Sequence, residues 1–257
     1  MSAALQPLLL DTGARRLFAV LQPAVGHARA GVLICPPLLH EQALSYRLFA
    51  LLGDALAAQG ITVLRFDYHG TGDSAGDDAE FTLESARTDA AHALCVLREH
   101  TGGAPLFVLG VRAGALIAAM LAGETNVQGL WFWQPIVDGS AYLDELRRLD
   151  DAERRSTIRY PNGGGMKDSG QHETLFGFPC NAALLDQLAH ARLAPDARWP
   201  RWLVLESAEH AATLAAPETL ALGPTLRSWV EHIDMGHFPV PPVREIAREL
   251  SKRVDAA

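Results

Sequence analysis

Apolar and polar positions follow two rhythms along this chain. Short apolar-rich runs of strand length occur at Leu5–Leu10, Arg15–Gln22, Ala30–Cys35, Ile61–Phe66, Pro105–Leu109, Gln128–Trp133 and Arg201–Glu206. The first two are joined by the turn sequence Asp11-Thr12-Gly13. Between the later runs lie segments with helical spacing. In Ser45–Gln59, the residues Leu48, Leu51, Leu52, Leu56 and Ala57 share one face, and Gly60 supplies the stop. Glu84–His100 and Ala113–Ala122 read as helices, a further strand is predicted at Ser228–Ile233, and Val243–Val254 closes the chain as an amphipathic helix. Strands alternating with helices imply right-handed crossovers, and continuous apolar runs fit strands covered on both faces. The pattern therefore predicts an α/β fold with a mostly parallel central sheet flanked by helices.

The rhythm breaks over residues 138–200. This stretch holds a helix at Ala141–Leu149, a glycine-rich polar segment at Asn162–Gly170 and a second helix at Asn181–Ala191. It reads as a small lid inserted over the carboxyl edge of a sheet built from 1–137 and 201–257, one domain overall. A chain of 257 residues is long enough for one large buried core.

Its formal net charge of −8 argues against nucleic-acid and anionic-membrane partners, which reward clustered Lys and Arg. Cys35, Cys95 and Cys180 match no zinc spacing and read as reduced core residues, and the scattered histidines suggest no metal site. Gly70-Thr71-Gly72 lacks the remaining residues of a phosphate loop or dinucleotide fingerprint, so no cofactor is expected. No run has the length of a membrane span, and the N-terminus has no basic region followed by a long apolar stretch. A cytoplasmic location is the expectation.

The chemistry-bearing segment is Leu106-Phe107-Val108-Leu109-Gly110-Val111-Arg112-Ala113-Gly114-Ala115, a strand running through Gly-x-Arg-x-Gly into a helix of small residues. The flanking glycines suit a sharp turn and a closely packed helix. Cys35-Pro36-Pro37-Leu38-Leu39-His40-Glu41 follows one strand, and Arg65-Phe66-Asp67-Tyr68-His69-Gly70-Thr71-Gly72-Asp73-Ser74 another. Asp67 and Ser74 are read as fixing the loop through local hydrogen bonds. Met235-Gly236-His237-Phe238 lies just before the closing helix.

With these segments the chain resembles the α/β-hydrolase superfamily over nearly its whole length. Trp133-Gln134-Pro135-Ile136-Val137-Asp138-Gly139 and the double-proline loop look like the exosortase-associated hydrolases of bacteria. The resemblance implies an oxyanion loop at Cys35–Glu41, which includes Leu39, His40 and Glu41 and acts through backbone N–H groups, and a general-base histidine at His237. It implies an acid partner among Glu206, Glu209 and Asp138. It also implies a nucleophilic serine at the turn of Gly-x-Ser-x-Gly, where this chain carries Arg112. A guanidinium stays protonated and has no lone pair to attack a carbonyl, so an acyl-enzyme cannot form on it.

Arg112 stands before a helix N-terminus, where a cation is unfavourable unless an anion answers it. It either pairs internally with an acid such as Asp138, Glu206 or Glu209, or binds a ligand anion. The leading expectation is an accessory or pseudo-hydrolase that binds an acyl or carboxylated small molecule, with Arg112, His40, Leu39 and Val111 facing it. One alternative is an enzyme without a covalent intermediate, in which His237, oriented by Glu209 or Asp138, is general base and Arg112 anchors an oxyanion. Another is a non-catalytic scaffold; a homodimer or a partner protein remains open.

Overall fold

The computed structural model describes residues 4–13, 15–156, 173–206, 214–227 and 240–255. Its sheet grows from an N-terminal hairpin, β1 (Gln6–Asp11) and β2 (Arg16–Gln22), followed by β3 (Ala30–Cys35), β4 (Ile61–Phe66), β5 (Leu106–Val111) and β6 (Gly129–Trp133). Helices α1 (His40–Ala57), α2 (Leu83–His100) and α3 (Gly114–Ala122) connect the parallel strands. After β6 come α4 (Gly139–Arg154), a hairpin of β7 (Glu173–Leu175) and β8 (Phe178–Cys180), and α5 (Ala182–His190). Strands β9 (Arg201–Glu206) and β10 (Thr219–Ala221), a short helix Pro224–Arg227 and the C-terminal helix Val240–Asp255 complete the described chain.

The eight strands run in the order β1-β2-β4-β3-β5-β6-β9-β10. β1, β2 and β4 pair antiparallel, and every other neighbour is parallel. All residues of β3, β4, β5 and β6 are buried, as their apolar-rich runs imply; the buried Arg65 of β4 donates through Nε to Gln22 Oε1 at 3.2 Å. Alternate residues feed two cores. Phe107, Leu109 and Val111 of β5 pack with Trp131, Trp133, α1 and the C-terminal helix, whereas Leu106 and Val108 pack toward α2 and α3. Trp131 stacks on Phe107, and Trp133 meets Phe49 of α1 edge-on.

Strand order reverses between β3 and β5, because β3 is followed outward by β4 on one side and by β5 on the other. Open α/β sheets place ligands at such a switch point, outside the carboxyl ends of the strands. The first turn of α1, which carries His40 and Glu41, and the turn after β5, which carries Arg112, meet there.

The structure extends several predicted elements. Helix α1 starts at His40 rather than Ser45. Its buried stripe begins with Glu41 and Ser45 before it reaches Leu48, Leu52 and Leu56, so its first turn carries no apolar signal. The hairpin β7–β8 and strand β10 are three residues each, too short to register as periodic runs. Phe176 (φ 53°) and Gly177 (φ 85°) make the two-residue turn between β7 and β8, with the paired left-handed conformations of a type I′ turn. Cys35 and Cys180 are buried, but Cys95 is exposed on α2, because it lies off that helix's buried stripe. The segments Asn162–Gly170 and Ser228–Ile233 fall outside the described residues.

The loop after β4 is tied down by its own side chains. The Ser74 hydroxyl donates to Asp67 O (2.6 Å) and accepts from Phe18 N (2.8 Å). The Asp67 carboxylate accepts from Asp73 N (3.0 Å) and from Gln42 Nε2 on α1 (2.8 Å).

The glycines flanking Arg112 answer close approach. A Cβ on Gly114 would lie 2.3 Å from Pro36 O and 2.5 Å from Cys35 O, and one on Gly110 would lie 2.6 Å from Ala115 Cα. Gly114→Ala therefore pushes α3 off the end of β3 and is expected to lower the unfolding free energy by roughly 1–3 kcal/mol in urea. Gly123→Ala, whose Cβ meets nothing closer than 3.6 Å, is the control and changes stability by less than about 0.5 kcal/mol. Equal effects would contradict the packing account.

Candidate active site at the β5–α3 turn

Arg112 occupies the apex of the turn between β5 and α3 with φ 51°. Its backbone is pinned on both sides. Its N–H donates to Trp133 O (2.9 Å), and its carbonyl accepts from Ala115 N (3.1 Å) and Ile136 N (3.2 Å). The side chain meets Glu41, in the first turn of α1. Nε and Nη2 both donate to Glu41 Oε1 at 3.1 Å, and the Tyr142 hydroxyl of α4 donates to Oε2 at 3.1 Å. Nη1 makes a longer contact, 3.5 Å, to Gln134 O. The Glu41 side chain is 1% exposed and that of Arg112 is 21% exposed.

The placement is electrostatically consistent. Glu41 sits at the positive end of the α1 dipole and Arg112 at that of α3, and neither helix has a side-chain cap. The cation is unfavourable there without its carboxylate. Burial, the largest single influence, lowers the Arg112 pKa, but Glu41, Tyr142 and Glu206 together outweigh it, and the guanidinium is held above its ordinary range. Burial and then Glu41 push the Tyr142 phenol well up, so it remains a neutral donor.

Beside this pair opens a cleft of about 850 Å³, lined by His40, Glu41, Arg112, Tyr142, Phe176 and Arg227 among others. His40 stacks on Phe176, ring centroids 3.7 Å apart, and its buried Nδ1 has no hydrogen-bond partner among the described residues. Asp150 fixes Phe176 from below, accepting from its backbone N–H (2.9 Å) and from Arg154 Nε (2.7 Å).

The serine aminopeptidase S33 family model matches residues 27–158, just over half of the chain and inclusive of the whole β3–α4 region. This chain belongs to the S33 serine aminopeptidase family. Solved structures similar to it share the α/β-hydrolase fold. A putative hydrolase from Agrobacterium vitis S4 is 18% identical, with 98% of each chain covered and a TM-score of 0.60. Est1E from Butyrivibrio proteoclasticus, solved with ferulic acid, is 15% identical over 97% of this chain and 100% of that one, TM-score 0.67. The α/β hydrolase domain-containing protein 10 from mouse is 14% identical over 99% of both, TM-score 0.59. A search of curated proteins finds no match.

Within this S33 fold the structure brings Arg112 and His40 to one cleft. Leu39 lines a neighbouring cleft of about 480 Å³, formed with Gln42, Thr71 and Phe178. Val111 is fully buried in the core on the α1 side of the sheet. Asp138 caps α4 by accepting from Ala141 N (3.0 Å) and faces Arg192 (3.2 Å). His237 and Glu209 lie outside the described residues.

The acid bound to Arg112 is Glu41; of the three acids considered from sequence, Asp138 caps α4, Glu206 acts on Arg112 through its charge, and Glu209 lies outside the described residues. Tyr142, Gln134 and Arg227 are further site residues that sequence reasoning did not assign. Glu41 carried one usable signal: an acid on the buried stripe of a helix requires a counter-charge. Among the described residues no cluster of His, Cys, Asp or Glu could hold a metal, and no helix is long and apolar enough to cross a membrane.

Two outcomes follow. Arg112→Met strands the Glu41 carboxylate and should lower the unfolding free energy by about 3–5 kcal/mol, while Glu41→Gln/Arg112→Met recovers most of the loss. Simple additivity in urea denaturation at pH 7 would refute the coupling. The second concerns His40. Its pKa is lowered from 6.5, chiefly by burial, with Arg112 lowering it further and Glu41 and Asp150 opposing. The unfolded chain thus binds this proton more readily, so the contribution is fully present above about pH 6.5 and is lost as pH falls from there toward the lower folded pKa. The stability curve of His40→Gln should fall less steeply than the parent's between about pH 7 and 5. Parallel curves would show that no such linkage exists.

Proposed function

We propose that this S33-family chain does not run the serine-ester mechanism, and that its cleft binds an acyl or carboxylated small molecule. One observation carries the reading. The side chain presented at the β5–α3 apex is a guanidinium, held by a buried carboxylate yet open to a cleft of about 850 Å³. That apex is where the Gly-x-Ser-x-Gly motif presents its nucleophile, and arginine has no lone pair to offer there. Arginine has five N–H donors, and three are used by Glu41 and Gln134. One N–H remains on each terminal nitrogen, a pair suited to a carbonyl or carboxylate oxygen.

In this reading α4, the β7–β8 hairpin and α5 form a cap over the site, and Phe176, Phe178 and Leu146 supply apolar wall. Resemblance to exosortase-associated hydrolases, carried by Trp133-Gln134-Pro135 and Cys35-Pro36-Pro37, makes an accessory role in assembly of a surface polymer or in protein sorting part of the same proposal.

The test has two arms. A fluorophosphonate probe should leave the protein unlabelled, and labelling would mean that a serine nucleophile operates. Dodecanoate should bind in calorimetry and lose about tenfold or more in affinity in Glu41→Gln/Arg112→Met, which removes the cation without stranding a buried carboxylate. Unchanged affinity would remove Arg112 from the binding site.

A further inference from the structure

The charge of Arg112 is already met. Glu41 takes two of its N–H groups, so the pair presents the cleft with directional donors but little net charge. The other acid–base pair on the wall is likewise closed, with Arg148 Nη2 2.7 Å from Glu145 Oε1. Glu153, a third acid on the wall, is engaged by a contact of its own.

Arg227 differs. It lines the same cleft at the end of the short helix Pro224–Arg227 and is half-buried; among the described residues it makes no ion pair, and its buried Nε has no hydrogen-bond partner. A half-buried guanidinium whose buried donor is unanswered among the described residues is costly unless a further partner, such as a bound anion, satisfies it.

Its position relative to Arg112 is set by one residue. Gln134, at φ 45°, gives its backbone carbonyl to Arg112 Nη1 and donates through Nε2 to the Arg227 carbonyl at 3.0 Å. The two cationic residues are thus both anchored to Gln134, one at its backbone carbonyl and the other at its side-chain amide. Opposite them, Leu146, Leu149 and Ala152 run along one side of α4 and face the cleft.

We infer that Arg227 is the charge-recognition residue of this cleft, and that the ligand is a singly charged amphipathic acid. Its carboxylate lies between the Arg227 guanidinium and the remaining N–H groups of Arg112, and its acyl chain lies along α4. This rests on the binding reading above and divides the work within it. Arg112 orients an oxygen, which an ester carbonyl can also supply, whereas Arg227 distinguishes an acid from its neutral ester.

The experiment compares dodecanoate with methyl dodecanoate by calorimetry on the full chain. The parent should prefer the acid by about ten- to a hundredfold, as expected for a charge-assisted contact. Arg227→Met should reduce this preference to less than about threefold, and Arg227→Lys should keep most of it. The salt dependence of dodecanoate binding should weaken in Arg227→Met alone. Glu41→Gln/Arg112→Met should weaken both probes and retain a preference for the acid. If Arg227→Met keeps the full preference and Glu41→Gln/Arg112→Met loses it, Arg112 reads the charge; the inference fails while the binding reading stands. If the parent binds neither probe, both fall together.

Discussion

A buried carboxylate and a guanidinium, 71 residues apart in sequence, fix the geometry of this cleft. Desolvating two charges is expensive, and their mutual attraction offsets that cost only when the remaining lone pairs are also satisfied. Here Tyr142 satisfies the second oxygen of Glu41, so three elements converge on one carboxylate: α1, which carries it, the β5–α3 turn and α4. An apolar trio could fill the same space, so packing alone does not explain the pair. It places an oriented cation at the mouth of a cleft, something an apolar core cannot do.

The backbone around the cleft is strained in a consistent way. Leu39, Arg112, Gln134 and Phe176 all have positive φ, and they account for all but one of the non-glycine residues in that region among those described. Such conformations cost on the order of 1–3 kcal/mol each and persist only where surrounding structure over-determines them. The determinants are visible: hydrogen bonds on both sides of Arg112, the Asp150 carboxylate under Phe176, and the onset of α1 directly after Leu39. The cleft wall is therefore preformed rather than dependent on ligand for its shape.

The parallel sheet was legible because a strand buried on both faces is apolar at nearly every position, as β3, β5 and β6 are throughout and β4 is apart from Thr62 and Arg65. Arg112 was legible as a departure from a motif. Its partner was not, because Glu41 and Ser45 interrupt the apolar stripe of α1 where the helix enters the site, and periodicity reads an interrupted stripe as loop. Arg227 stands at the end of a four-residue helix with no pattern around it. The β7–β8 hairpin turns at Phe-Gly, so an aromatic residue holds a conformation usually given to asparagine or glycine. In each case the local rule gives way where the chain approaches the cleft, as expected when a site rather than a core sets residue choice.

The hydroxyl of Tyr142 makes the cleft's shape and its electrostatics a single variable. Displacing α4 withdraws a donor from Glu41, leaves more negative charge on that carboxylate, and tightens its hold on Arg112. Seating α4 shares the carboxylate between two donors and loosens the guanidinium's hold on it. The position of α4 and the strength of the Arg112–Glu41 contact are thus thermodynamically linked through the two oxygens of one carboxylate.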